Sequence, residues 1–447
     1  MRLSIVIPAY NEESRLPLTL ERVRAALGAS DREIIVVDDG SRDGTAEEAA
    51  RAGASVVRLA RNGGRGAAVR AGIEAARGGL VLEMDADGSV DAEAITRFAD
   101  HFDRHPGVDV LIGSRNALGS VVVVPQPFLR VFLGGCFLFA AKAFFGWDIS
   151  DYTLGFKMFR REAAADIMRH QHDAGYLAEA EIVVAARGRG WRLQELPVRW
   201  AEYGASKVRP WREAWRSLRG LAVIVARFLR GGYAPAPGRL SFSAAKRRTT
   251  GLYDGLGWPS LFARIRFFTA PYAGLEPHVP REGLIVDLGC GYGTFSNLLG
   301  LMAPGRRVVG LDYDTVKLRH APRGLGNVTF RDGDVRTAVT EPADAILLIH
   351  VLHHLGSYEE QEPLLASCRE KLKPDGRLVV CEVDRRPYWK YLLGWLADRL
   401  LYPGDDIFYR FPEDLAPILE RCGFRVDTIR SDAATPFAHV TYVGIKR

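Results

Sequence analysis

Along the first half of the chain, short apolar runs alternate with stretches of helical periodicity, and each run closes on acidic or glycine-rich residues. Leu3 to Ile7 reads as a strand, followed by a Pro8-containing loop and a helix through about Leu27. Glu33 to Val37 repeats the arrangement, ending in Asp38 and Asp39 with Thr45 near the next helix start. A third strand lies around Val56, before the glycine-rich RNGGRGAA, and a fourth begins at Leu80 and delivers Asp85 and Asp87 at its end. This alternation predicts an α/β domain with a parallel sheet whose loops gather at the edge where such sheets bind ligands. The second half repeats the rhythm with GLIVDL, RRVVGLD, NVTF, ADAILLI and RLVVCEV, then closes with GFRVDTI and HVTYVGIK. Between the halves, GGYAPAPGRLSFSAAKRRTTG has the glycine, proline, serine and basic content of a linker. The expected division is a first domain over 1–232, a linker over 233–250 and a second domain over 251–447.

Two longer apolar stretches bear on membranes. Within Phe128 to Phe145 only eleven uncharged residues separate Arg130 from Lys142, against the roughly 20 that a spanning helix needs. That stretch reads as an interfacial or a core helix. Leu218 to Leu229 is broken by Arg219 and Arg227, so no transmembrane helix is expected. Met1 and Arg2 lead straight into the first strand with no signal-peptide pattern, and the five cysteines are scattered without metal-ligand spacing, as in a reducing cytoplasm.

The net charge of +6 is unevenly placed: residues 201–250 hold eleven Lys and Arg against two acids, a local +9. Interleaved Trp200, Tyr203, Trp211 and Trp215 favour an interfacial role, with an anionic membrane surface as partner; a solvated linker face is the alternative. No nucleic-acid motif accompanies the basic segment, so no nucleic-acid partner is expected.

Asp85 and Asp87 at a strand end suit a divalent cation held beside phosphate oxygens, Mg²⁺ or Mn²⁺ by ligand hardness, although D-x-D-G is also ordinary turn chemistry. RNGGRGAA, running into a helix whose first N–H groups are free, suits phosphate, and Arg65 adds charge there. Taken in order, IVIPAYNEE, VVDDGSRDGT, NGGRGAA, MDADGS and IGSR resemble the family 2 glycosyltransferases of the GT-A fold, more closely the polyprenyl-phosphate (dolichyl-phosphate) mannose and glucose synthases, over about residues 1–230. The resemblance implies that Pro8, Tyr10, Glu12 and Asp39 hold the base and ribose of a nucleotide-sugar, and that Asp85 and Asp87 hold metal and diphosphate. It carries Asp151 of DYTLGFKMFRR into the reacting centre, with Glu179 and Glu181 of YLAEAEI above the sugar; Glu179 stands where most relatives have Asp. A phosphate monoester acceptor is already anionic near neutral pH, so positioned cations matter more than a base. Arg115, Arg130, Lys207 and Arg209 are the acceptor-phosphate candidates, polyprenyl phosphate the implied acceptor, and inversion the implied outcome. The alternative acceptor is a hydroxyl on a soluble metabolite, glycan or protein, with Glu181 as its base.

In the second half, GLIVDLGCGYGTF sets Asp287 before Gly289, Gly291 and Gly293, and Asp312 ends the next strand nineteen residues after Gly293, the spacing at which a carboxylate meets a ribose. Dinucleotide enzymes share this much. The full order of strands, with Asp334 after the third, resembles the Rossmann-like class I S-adenosylmethionine-dependent methyltransferases over about 251–447. That implies S-adenosylmethionine as cofactor, Asp287 and the glycines beside its methionine moiety, Asp312 on ribose, and Asp334 with Val335 at adenine. His353 and His354 are candidates for a general base, or ordinary residues of the loop after the fourth strand. The methyl acceptor is not legible. A further alternative leaves one of the two domains as a binding module without turnover.

Overall fold

The computed structural model describes the chain except residues 1, 29–30, 118, 124–127, 147–148, 176, 202–209, 237, 337–338, 402–405, 432–434 and 447; at 128–133, 210–215 and 401 the backbone alone is described. The chain divides into two compact units, Met1–Arg239 and Leu240–Arg447.

The strands of the first unit are β1 (Leu3–Ala9), β2 (Arg32–Asp38), β3 (Ser55–Arg58), β4 (Leu80–Met84), β5 (Val110–Ser114), β6 (Val121–Val122), β7 (Phe156–Arg160), β8 (Leu193–Pro197) and β9 (Arg199–Trp200). Seven form one sheet in the order β3-β2-β1-β4-β7-β5-β8, and β6 pairs with β9. The strands β1 to β4 are parallel, as expected; β7 runs antiparallel between β4 and β5. Strand order reverses between β1 and β4, which opens a crevice beyond their carboxyl ends. Alternate residues of β1 feed opposite faces: Ile5 and Ile7 pack with Leu16, Leu20 and Phe98, whereas Val6 packs with Val69, Ile73 and Val183. Phe128–Phe145 is a helix that packs into the core through Phe137, Ala141 and Phe145 and leaves Phe139 and Phe144 exposed. Among the described residues no helix is long and apolar enough to cross a membrane.

The second unit contains β10 (Gly283–Leu288), β11 (Arg306–Asp312), β12 (Val328–Asp332), β13 (Ala343–Ile349), β14 (Leu372–Val383), β15 (Phe424–Arg430) and β16 (His439–Lys446), in the order β12-β11-β10-β13-β14-β16-β15. Five are parallel, and β16 is antiparallel to both its neighbours. The reversal point lies between β10 and β13.

The stretch 233–250 is not a free linker. Tyr233 is buried against Gly188 in the first unit. The helix Phe242–Gly251, capped by Ser241, buries Ala245 among Phe267, Phe295 and Leu298 in the second. Its basic residues mark the outer face of a packed helix, which composition alone does not separate from a linker.

Candidate active sites

The first site is assembled where β1, β2 and β4 end. The loop after β1 is zipped to the loop after β2: the Glu12 N–H donates to Thr45 Oγ1 at 2.8 Å and the Arg42 N–H to Asn11 Oδ1 at 2.9 Å. Pro8 is buried in β1, Tyr10 is 40% exposed on the loop, and Glu12 holds Arg15 through Nε at 2.6 Å. Asp39, buried, accepts N–H bonds from Gly63 at 2.7 Å and Gly64 at 2.9 Å, so it pins the glycine-rich turn. Gly64 has φ 90°, and a Cβ there would strike the Ala174 carbonyl; this turn admits only glycine.

The helix Arg65–Ala75 starts at this turn, and its first side chain reaches across to β4. Arg65 pairs with Asp85 and, at 2.7 Å, with Glu179; its Nη2 is buried without a hydrogen-bond partner among the described residues. Lys157, in β7, pairs with Glu179 and lies 3.4 Å from Glu83, its register partner in β4. Glu83, Asp85 and Glu179 thus share two cations. Burial and the Glu179 charge push Glu83 upward, while at Glu179 the charges of Arg65 and Lys157 outweigh burial and hold it down. Asp85 is raised to about 6 by burial, with Asp87 and Glu179 adding to it against Arg65. Asp87 accepts the Ser89 N–H at 2.9 Å and has no ion pair among the described residues.

Other expected residues fall into different roles. Asp151 is fully buried; it takes Arg115 through Nε at 2.7 Å and Nη2 at 2.9 Å, plus the Thr153 N–H at 3.1 Å. Hydrogen bonds and charge from Arg115 overcome burial and hold Asp151 low. Asp151 therefore orients Arg115 and presents no free carboxylate. Glu181, also fully buried, accepts the N–H groups of His172 at 2.8 Å and Asp173 at 2.5 Å and meets Arg227 and Tyr233. It braces the segment against which the glycine-rich turn packs and does not join the Asp85 cluster. Residues two apart on a helix project about 200° apart, so Glu179 and Glu181 do not share one target. Lys207 and Arg209 lie outside the described residues, as does the side chain of Arg130. Sequence reasoning missed Glu83 and Lys157; the signal was a charged residue between apolar neighbours inside each of two strands, LVLEM and FKMFR.

In the second unit Asp287 ends β10, buried, and accepts the Ser296 hydroxyl at 2.5 Å. Burial and the nearby Asp312 charge raise it to about 7. Gly289, Gly291 and Gly293 have φ of 73°, 55° and 71°. Cβ atoms would meet Val351 at 2.6 Å from Gly289 and Phe330 at 2.5 Å from Gly293, whereas over Gly291 the nearest atom is Lys317 Cδ at 4.0 Å. Asp312 accepts the N–H groups of Gly291 at 2.6 Å and Asp314 at 2.9 Å. Asp334 is exposed and engaged by Arg336 at 2.7 Å, and Val335 is half-buried against the core. Beyond β13, His353 Nδ1 is hydrogen-bonded to Glu382, whose charge outweighs burial and raises the imidazole. Its Nε2 is buried 3.7 Å from Asp398, and ligand atoms of His353, His354 and Asp398 lie within 4.8 Å of one another.

Comparison with known proteins gives two family matches: glycosyl transferase family 2 over residues 4–168, and a methyltransferase domain over 286–378. The chain is 31% identical over 246 residues to a dolichyl-phosphate beta-glucosyltransferase of Dictyostelium discoideum, covering 51% of this chain and 75% of that protein. It is 36% identical over 219 residues to a polyprenol monophosphomannose synthase of Mycolicibacterium smegmatis, covering 46% and 81% respectively. A solved S-adenosylmethionine-dependent methyltransferase from Thermotoga maritima aligns at 18% identity and TM-score 0.34, covering 44% of this chain and 99% of that one.

Proposed function

Given that the chain belongs to glycosyl transferase family 2 through its first domain and carries a methyltransferase domain after it, we propose a two-headed enzyme. The first domain transfers a sugar, with inversion, from a nucleotide-sugar to polyprenyl phosphate; the second transfers methyl from S-adenosylmethionine to a separate acceptor. The observation that carries the first half is similarity at or above 30% identity to proteins named for dolichyl and polyprenol phosphates, over most of their length.

The site chemistry supports it. On this reading Pro8, Tyr10, Glu12 and Asp39 would border base and ribose, and the buried Nη2 of Arg65 would donate to a phosphate oxygen. Asp85 and Asp87 are hard oxygen donors at the crevice, a set that fits Mg²⁺ or Mn²⁺. Bound there, the ion would neutralise the diphosphate leaving group. Arg115, oriented by Asp151 through Nε and Nη2, would offer its positive charge to the acceptor phosphate. In the second domain Asp312 would accept the ribose hydroxyls, Asp287 and the glycines would border the methionine moiety, and Asp334 and Val335 the adenine. Glu181 offers little to a hydroxyl acceptor, since its oxygens are taken by two N–H groups, Arg227 and Tyr233.

The protein works at a cytoplasmic membrane surface on this reading. Supporting it are the +9 of residues 201–250 and exposed Phe139, Phe144, Leu218, Val223 and Leu229 in the first domain. The test is incubation with a nucleotide-sugar panel, Mg²⁺ or Mn²⁺, and either polyprenyl phosphate or hydroxyl acceptors, with products identified by mass. A glycosylated polyprenyl phosphate is expected. Sugar found on hydroxyl acceptors alone overturns the assignment.

A further inference from the structure

Two helices of the second domain approach one buried cluster with their inner faces and leave wide apolar faces outside. The helix Trp258–Thr269 buries Pro259, Ala263 and Phe267 but leaves Trp258, Leu261, Ile265 and Phe268 between 40% and 65% exposed. Their spacing of three, four and three residues makes one stripe. The helix Tyr388–Leu401 buries Gly394, turns Asp398 toward His353, and leaves Trp389, Leu392, Leu393, Trp395, Leu396 and Leu400 between 41% and 72% exposed. Single exposed apolar residues are ordinary; two contiguous stripes rich in tryptophan are not.

The outward charges of these helices are basic, with Arg264 paired to Asp254 at 2.7 Å and Arg266 turned inward to His350. Trp258–Thr269 carries Arg264 and Arg266 and no acid, and the helix Phe242–Gly251 before it carries Lys246, Arg247 and Arg248 and no acid. On Tyr388–Leu401, Lys390 lies 5.6 Å from the Trp389 ring and Arg399 5.9 Å from the Trp395 ring, and the only acid is Asp398, on the inner side. Indole and aliphatic groups flanked by basic side chains match the boundary between acyl chains and anionic headgroups.

Both helices also touch the histidine cluster. Arg266 Nη2 is 3.1 Å from His350 Nδ1, Asp398 is 3.7 Å from His353 Nε2, and the His350 and His353 rings are 6.3 Å apart. Val351, between them, is the residue that packs over Gly289 of the cofactor turn. The cluster therefore stands beside the turn, where a methyl acceptor must arrive.

We propose that the second domain docks on an anionic bilayer through these two faces and methylates an acceptor presented from that bilayer. In the transfer, a lone pair of the acceptor forms the bond to the methyl carbon as the carbon–sulfur bond breaks; the sulfonium becomes the neutral thioether of S-adenosylhomocysteine, and the acceptor proton passes to water. The proposal rests on the methyltransferase reading of this domain and is independent of which acceptor takes the sugar.

The full-length chain carrying Leu392→Glu with Leu396→Glu, or Leu261→Glu with Ile265→Glu, tests it. Partition onto phosphatidylcholine vesicles containing phosphatidylglycerol should fall about tenfold or more in each pair, since apolar burial drives interfacial binding. S-adenosylmethionine affinity, and sugar transfer to short-chain polyprenyl phosphate in detergent, should stay unchanged. With tritiated-methyl S-adenosylmethionine and a total membrane lipid extract, label should enter the chloroform-soluble fraction. Unchanged partition overturns the docking face. A dimer that the substitutions split, with no change on vesicles, reassigns it to a second copy; a lowered melting temperature reassigns it to packing against the chain's own first domain. Label confined to water-soluble products overturns the bilayer-borne acceptor. Absence of sugar transfer to polyprenyl phosphate by the unsubstituted protein would sink the earlier reading and leave this one standing.

Discussion

The two domains place acids at the carboxyl edges of similar sheets and treat them in opposite ways. At the first site the carboxylates meet cations: Asp85 and Glu179 on Arg65, Glu179 and Glu83 on Lys157, Asp151 on Arg115. At the second, Asp287 has a serine hydroxyl and Asp312 has two backbone N–H groups, and among the described residues neither forms an ion pair. The result is visible at one acid of each site: Arg65 and Lys157 hold Glu179 down against burial, although Glu83 and Asp85 beside it are raised, whereas burial, helped by Asp312 against Arg266, lifts Asp287 to about 7. A site whose cations offset most of its acids, leaving Asp87 unpaired among the described residues, suits a ligand arriving with its own counter-ion, such as a metal-bound diphosphate. A site left with unneutralised acids suits a cationic ligand, and S-adenosylmethionine brings a sulfonium and an ammonium.

The comparison breaks most visibly if the two sets of acids are removed one at a time. Asp87→Ala should cut sugar transfer by at least about a hundredfold, because the carboxylate would hold an ion that only the first domain needs. S-adenosylmethionine binding should be untouched. Transfer at the wild-type rate would remove Asp87 from the site. Next in size, Asp312→Ala should weaken S-adenosylmethionine binding by about 1 to 3 kcal/mol, the worth of a charge-assisted hydrogen bond, with sugar transfer intact. Calorimetry showing equal affinity would mean that Asp312 shapes the glycine turn and does not touch the cofactor.

How far such residues can be picked from sequence depends on whether their partners are local. Strands ending in Asp39, Asp85, Asp287 and Asp312 were legible because apolar runs and the acids that close them are contiguous. The antiparallel direction of β7 was not, since FKMFR pairs equally well either way until its neighbours are known. The Glu83–Lys157 pair needs that register. Asp398 meets His353 from a helix 45 residues further on, beyond any spacing rule. Glu181 is different: helical geometry already barred it from sharing a target with Glu179, and only the family resemblance put them together.

The smallest expected effect sharpens the comparison most, because it reads the unneutralised acid directly. In the unfolded chain Asp287 titrates near the ordinary 3.8, and in the folded domain near 7. A group whose pKa rises on folding contributes stability that is full below the unfolded value and lost as pH climbs through the folded one. Ligand-free protein at pH 8 therefore carries nearly the whole cost of a buried Asp287, at pH 5 still about a third of it, and only below about pH 4 very little. Asp287→Asn keeps an oxygen for the Ser296 hydroxyl and removes the charge. It should stabilise the ligand-free second domain at pH 8 by on the order of 1 to 3 kcal/mol, a few degrees in melting temperature, and the gain should shrink at pH 5 and vanish only below about pH 4. His350, His354 and His439 are held below their ordinary value by burial and pull the other way as pH falls. The informative quantity is thus the difference between wild type and variant at each pH, taken on the unfolding transition that S-adenosylmethionine shifts. Saturating cofactor should shrink the gain at pH 8, since its positive charge would then balance Asp287 in the wild type. A variant less stable than wild type across pH 5 to 8 would mean that Asp287 is already neutralised, and the contrast between the two sites would fail.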